Sequence, residues 1–234
     1  MDQGLIWDYF QNEQKSAFKG AHSRINALVA RVTKLIKLRQ DGKSPHAKVL
    51  HIGVGDGYCE NVLMKNGIIS TSMDPSSAAI RNLKEKGFDA VIGSVDLLPF
   101  GDDSFDYVIC SEVLEHLDAE VLKKGMQEIY RCLKKGGVFL GTVPFNECLV
   151  DNLTVCPSCN SKFHRWGHEQ SFDKENLQQL FTSVGLKVDF IRIQAFPNWG
   201  RKGFLNFLKS LTLYVLGIMG QQIVSPKLYF QGIK

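Results

Sequence analysis

An apolar strand, Val49-Leu50-His51-Ile52, runs directly into Gly53, Gly55 and Gly57, three glycines at alternate positions. Glycines there let the chain bend sharply after the strand and bring its backbone against a ligand where a side chain would collide. The spacing is that of a nucleotide-cofactor turn, but Tyr58 stands where the dinucleotide pattern G-x-G-x-x-G needs its last glycine. A nicotinamide oxidoreductase fails at that position.

Strand and helix patterns alternate downstream. Residues 68–73 are an apolar segment ending in Asp74, which puts an acidic group at the carboxyl end of the next strand, a suitable distance on to hold ribose hydroxyls. A third strand covers 88–93, and the turn-rich link Leu98-Pro99-Phe100…Ser104-Phe105-Asp106 leads to a fourth over 107–110. That strand runs into Ser111-Glu112-Val113-Leu114-Glu115-His116. A helix stopped by Lys134-Lys135-Gly136-Gly137 precedes a fifth strand over 138–144.

These motifs, in this order, resemble the class I S-adenosylmethionine-dependent methyltransferases, in particular the small-molecule group with L-P-F…S-F-D…E-V-L-E-H, from Val49 to about Phe145. The resemblance implies an α/β, Rossmann-like, seven-stranded, mostly parallel sheet with the last strand antiparallel and helices on both faces. It implies that Gly53, Gly55, Asp56 and Gly57 line the methionine part of S-adenosylmethionine, that Asp74 holds the ribose, that Ser94, Val95 and Asp96 border the adenine, and that Ser111 faces the cofactor. Two positions depart from the family pattern. His51 stands where an acidic residue is common, and Ser94 where Asp is common, with Asp56 and Asp96 as nearby acidic candidates to compensate.

At 234 residues with 44% hydrophobic content, the chain can bury one substantial core. The expected organisation is one domain: a helical cap over 1–47, a cofactor-binding core over 48–145, an insertion over 146–170 and a substrate-side part over 171–234. The net charge of +4 is mild, and Lys and Arg are scattered rather than gathered on a nucleic-acid-binding face. The N-terminus carries no basic flank followed by an apolar run, so a cytoplasmic protein is expected. Cys59, Cys110 and Cys132 fall in core elements as small apolar residues.

Ile25, Leu28, Val29, Val32, Leu35 and Ile36 repeat at helical spacing, predicting a leading amphipathic helix. In the family such helices roof the cofactor site, which brings Phe10, Phe18 and Arg24 toward substrate. Residues 40–47 read as the linker into the first strand. After the insertion, a helix carrying Leu177, Leu180 and Phe181 ends at Gly185, a sixth strand spans 186–191, and the apolar patch 223–231 supplies the seventh. The apolar run 204–219, interrupted by Lys209, is too short to span a bilayer. It reads as a helix covering the pocket or as an interfacial helix with Arg201, Lys202 and Lys209 near lipid headgroups.

The insertion contains Cys156-x2-Cys159-x4-His164-x3-His168. Two thiolates and two imidazoles within thirteen residues predict a closed structural zinc site, with Cys148 able to replace one histidine. A redox C-x-x-C belongs instead at a helix start near a βαβ unit. Placed after the fifth strand, the knuckle would shape the acceptor pocket and present Phe163, Arg165 and Trp166 to it.

Methyl transfer is an in-line displacement, so alignment in a dry pocket supplies most of the catalysis. For a hydroxyl acceptor, His116 is the first candidate base and Glu112 the reserve. The expected activity is O-methylation of a small-molecule or glycan-like acceptor. The alternatives are C-methylation of a lipid or quinone-like acceptor, with peripheral membrane contact, and a non-catalytic cofactor-binding scaffold; a lipid-linked acceptor is a further partner class.

Overall fold

The computed structural model describes residues 18, 20–39, 47–197, 204–219 and 225–234. Helix α1 (His22–Arg39) precedes strand β1 (Val49–Ile52), α2 (Tyr58–Lys65), β2 (Ser70–Asp74), α3 (Ser77–Glu85), β3 (Asp89–Ile92) and β4 (Phe105–Ser111). A 3-10 turn (Leu114–His116), α4 (Ala119–Cys132) and β5 (Leu133–Pro144) follow. A second 3-10 turn (Leu149–Asn152) and the hairpin β6 (Leu153–Val155) and β7 (Lys162–His164) then lead to α5 (Lys174–Ser183), β8 (Lys187–Gln194), α6 (Phe204–Ile218) and β9 (Lys227–Ile233).

The main sheet has seven strands in the order β3-β2-β1-β4-β5-β9-β8. Neighbours from β3 to β5 pair in parallel, and β9 runs antiparallel to both β5 and β8, as expected for the last strand. Side chains alternate between two cores as the period of two demands. Leu50, Val108, Cys110, Phe139 and Val143 face α4 and α5. Val49, Tyr107, Ile109, Val138 and Leu140 face α1 and α2.

Local chemistry sets the helix ends. Ser76 caps α3 by accepting from the Ala79 amide, and Asp118 caps α4 by accepting from the amides of Glu120 and Val121. Asp173 and Asn176 form a reciprocal capping box at α5. In α1 the buried residues are Ile25, Leu28, Val29 and Val32, the predicted stripe. Most of the predicted linker lies outside the described residues, as do Phe10, Arg201, Lys202 and residues 223–224.

Two elements differ from expectation. Strand β5 begins at Leu133, not Val138, because Leu133 already pairs with Phe105 across a bulge, and Gly136 at φ 72° absorbs the irregularity. Helix α6 packs along the edge strand β8, and none of its described residues lines the cavity between the strand ends, where it was expected to lie over the pocket. It buries Ser210 while leaving Leu205, Leu208, Leu211 and Val215 exposed. Among the described residues no helix is long and apolar enough to cross a membrane.

Beneath the glycine turn, His51 Nδ1 donates to Glu60 Oε1 at 2.6 Å, and Ser72 Oγ donates to the same oxygen at 2.7 Å. Burial opposes both charges. Cys59 and Glu60 nevertheless hold the His51 pKa well above its ordinary value, and His51 holds the Glu60 carboxyl below its own. The basic residue at this family-acidic position therefore has a buried acidic partner one helix away.

Two outcomes are expected. Phe181 meets Phe139 and Phe230 with ring centroids 5.5 and 5.2 Å away, so Phe181→Ala should destabilise the protein by about 3–5 kcal/mol in urea unfolding. With its pKa raised, His51 contributes stability that is complete below pH 6.5 and lost as pH rises through the folded-state value. Glu60, with its pKa lowered, contributes stability that is present above pH 4.5 and lost as pH falls through its folded-state value. His51→Gln should cost about 3–5 kcal/mol near neutrality and remove the alkaline-side loss, read from unfolding midpoints across pH.

Candidate active site

The chain leaves β1 toward β2 and β3, then returns to place β4 on the other side of β1, which opens a crevice at the carboxyl ends of those two strands. A cavity of about 1140 Å³ occupies it. Gly53 and Gly55 turn the chain here with φ of 83° and 53°. A Cβ on Gly53 would stand 2.4 Å from Val113 Cγ2, and one on Gly55 would stand 3.2 Å from Phe18 Cδ1, so both glycines are sterically required.

Asp74 ends β2 with Oδ2 accepting from the Val54 amide at 3.0 Å and Oδ1 from the Ser76 amide at 2.9 Å. Burial raises its pKa despite these bonds. Each oxygen keeps further acceptor capacity, and the residue lines the cavity. Asp56 also lines it and bonds His22 Nε2 at 2.9 Å, while the His22 ring stacks on Tyr58 at 3.7 Å. These contacts clamp α1 over the glycine turn, and Phe18 and Arg24 line the cavity from that side.

Ser94, Val95 and Ser111 line the cavity as well. Gly57 and Asp96 are not among the residues that line it. Gly57 caps α2 and backs onto Leu83, whose Cδ2 would lie 2.9 Å from an added Cβ, and Asp96 accepts a hydrogen bond from the Ser94 hydroxyl.

A relay of side chains crosses the floor. Arg24 Nε donates to Ser111 Oγ at 2.9 Å, Ser111 Oγ bonds Thr142 Oγ1 at 2.9 Å, and Thr142 Oγ1 donates to Glu112 Oε1 at 3.0 Å. Lys227 on β9 closes it with Nζ 2.6 Å from Glu112 Oε2. Burial pushes Glu112 up, but Arg24 and Lys227 outweigh it and hold the carboxyl at about 2. This ionised, doubly paired carboxylate is poorly suited to take a proton at neutral pH, which weighs against its reserve role. Its backbone sits at φ 57°, a strain of about 1–3 kcal/mol at the site.

His116 is buried and lines the cavity, with Nδ1 donating to the Gly167 carbonyl at 3.2 Å. Burial and then His168 lower its pKa to about 4, so it is a neutral imidazole. The segment after the hairpin is held here because the Glu115 carbonyl accepts from the amides of Glu169 and Gln170 at 2.7 and 3.0 Å. That brings His168 to the cavity wall, its ring 4.6 Å from that of His116.

The four expected zinc ligands do not come together. Cys156 and Cys159 belong to the tip of the β6–β7 hairpin, where the Cys156 amide donates to the Ser161 carbonyl and Cys159 Sγ lies 3.0 Å from Ser161 Oγ. His164 pairs with Leu153 at the hairpin's other end. There His168 Nδ1 meets Glu147 Oε2 at 2.5 Å, and His164 Nε2 lies 3.5 Å from Glu147 Oε1. Among the described residues the converging ligand sets are Glu115, His116 and His168, and Glu147, His164 and His168, with no cysteine in either. Cys148 joins neither, although it lines the cavity. Trp166 lines the cavity too, but Phe163 and Arg165 do not, and the Arg165 guanidinium lies 5.9 Å over the Trp166 ring. Sequence reasoning passed over Glu115 inside the quoted E-V-L-E-H run. It had no signal for Glu147, Thr142 or Lys227, which only chain folding brings in.

Residues 50–141 match the family described as "Methyltransferase domain". A probable S-adenosylmethionine-dependent methyltransferase of Mycolicibacterium smegmatis is 26% identical over 143 residues, covering 60% of this chain and 52% of the relative. An uncharacterised protein of Methanocaldococcus jannaschii is 33% identical over 121 residues, covering 52% and 56%. The chain thus spans about half the length of these curated relatives. In structure it is similar to the Burkholderia thailandensis 1,6-didemethyltoxoflavin-N1-methyltransferase with bound 1,6-didemethyltoxoflavin and S-adenosylhomocysteine, with a TM-score of 0.67 at 13% identity over 99% of this chain and 86% of that one. Over residues 50–141 the chain is therefore a match to the methyltransferase domain, set in the Rossmann-like sheet shared by S-adenosylmethionine-dependent methyltransferases.

Proposed function

We propose that this protein transfers the methyl group of S-adenosylmethionine to an oxygen of a small-molecule or glycan-like acceptor. The observation that carries the reading is one cavity with glycine backbone and Asp74 at one end and neutral imidazole at the other. The glycine cradle fits the cofactor because its backbone can approach where side chains cannot.

In this reading Gly53 and Gly55 face the methionine portion, Asp74 accepts from the ribose hydroxyls, and Ser94 and Val95 border the adenine. S-adenosylmethionine supplies an electrophilic methyl on a sulfonium, which an acceptor oxygen takes as the carbon–sulfur bond breaks. The chain aligns the partners and keeps bulk water from the sulfonium, and the neutral His116 imidazole on the cavity wall is the candidate base for the acceptor's proton. His116 and His168 line the acceptor end, and this polar lining favours oxygen over carbon as the methylated atom.

A second reading has one observation behind it. The exposed apolar face of α6 favours a lipid-linked or quinone-like acceptor met at a membrane surface. Liposome flotation with the protein wholly in the soluble fraction would remove it.

Incubation with methyl-labelled cofactor and fractionated extract should place label in a small-molecule or glycan fraction. No transfer into any fraction, with the cofactor still bound, would sink the reading. Asp74→Ala should weaken cofactor binding about 10–100-fold by calorimetry, the loss of charge-assisted bonds to hydroxyls.

A further inference from the structure

We propose that Glu115, His116 and His168 form a divalent-metal site in the wall of the cavity, at its acceptor end. One ligand atom of each lies within 4.8 Å of those of the other two, a span that metal–ligand bonds of about 2.0–2.2 Å close with small side-chain rotations.

Three observations converge. Both carboxylate oxygens of Glu115 are buried with no hydrogen-bond partner among the described residues, an arrangement that costs stability unless something is bound there. His168 Nδ1 meets Glu147 and His116 Nδ1 meets the Gly167 carbonyl, so on each ring Nε2 is the nitrogen left to face an ion. A carboxylate or carbonyl behind each histidine is the outer shell that orients metal-ligating imidazoles. The same reasoning sets the second cluster aside. His164 Nδ1 accepts from the amides of His168 and Trp166 at 3.0 and 3.4 Å, so its Nε2 carries a proton toward Glu147. His164 Nε2, buried without a hydrogen-bond partner among the described residues, thus offers a proton rather than a lone pair and is not a ligand.

Two nitrogens and one carboxylate select a borderline cation such as Zn²⁺ or Mn²⁺ over Mg²⁺ or Ca²⁺. Three protein ligands leave coordination positions toward the cavity, where Glu115, His116 and His168 all stand. Its use in catalysis rests on the transfer reading above: an acceptor hydroxyl on that cation would lose its proton to water more readily, in place of transfer to His116, and the alkoxide would be held for attack.

The test is titration of the chelator-treated full chain with Mn²⁺, followed by the electron paramagnetic resonance signal of the unbound ion, with Zn²⁺ as competitor. One site per chain is expected, displaced by Zn²⁺. Affinity should fall about 100-fold or more in His168→Gln and in Glu115→Gln, each checked for folding by circular dichroism. It should persist in Cys156→Ser/Cys159→Ser and in His164→Gln. Absence of a site in the wild type, or a site lost with the cysteines or with His164 but kept without His168, overturns the proposal. Calorimetry with S-adenosylmethionine on the same samples separates the two readings: intact cofactor binding without a Mn²⁺ site removes the metal and leaves methyl transfer standing.

Discussion

The parallel pairing of β1 with β4 is the constraint on which the rest of the structure depends. Val49 to Ile52 register against Tyr107 to Cys110, yet the chain between them has first gone out through β2 and β3. The loops after the two strands therefore diverge, and the cavity is the gap they leave. Every group at the site hangs from that geometry: the glycine turn continues β1, Asp74 ends β2, Ser111 ends β4, and Glu112 through His116 follow it.

Polar side chains then tie distant parts of the chain to the crevice. The relay from Arg24 through Ser111, Thr142 and Glu112 to Lys227 joins α1, β4, β5 and β9 under one floor. A buried carboxylate is tolerable only with such partners, and their charge keeps Glu112 ionised and satisfied. Glu115, three residues on, is equally buried and has no such partner among the described residues. Two neighbouring carboxylates thus acquire different roles from their surroundings alone, one a structural anchor and the other a candidate ligand.

The hairpin shows where a spacing rule loses to backbone geometry. The Cys/His pattern reads as a compact knuckle if the intervening residues form a turn around an ion. Residues 153–155 and 162–164 instead pair as antiparallel strands, and that pairing carries His164 away from the tip that holds the cysteines. The histidines are then captured by Glu147 and by the turn after β4. A similar reversal occurs in α6, whose apolar sequence suggested burial over the pocket, while its position along edge strand β8 leaves much of that face exposed.

The sequence by itself determined the order of strands and helices, the glycine turn, Asp74 at the end of β2 and the amphipathic stripe of α1. These are local: they follow from periodicity, glycine conformation and the placement of residues at strand ends. Only the tertiary structure decided that Gly57 backs onto Leu83, that Lys227, 115 positions along the chain, pairs with the ionised Glu112, and that His116, His168 and Glu115 converge. Those outcomes depend on which strands become neighbours and on the charges and buried surfaces that adjacency brings together, and no spacing within a single segment encodes them.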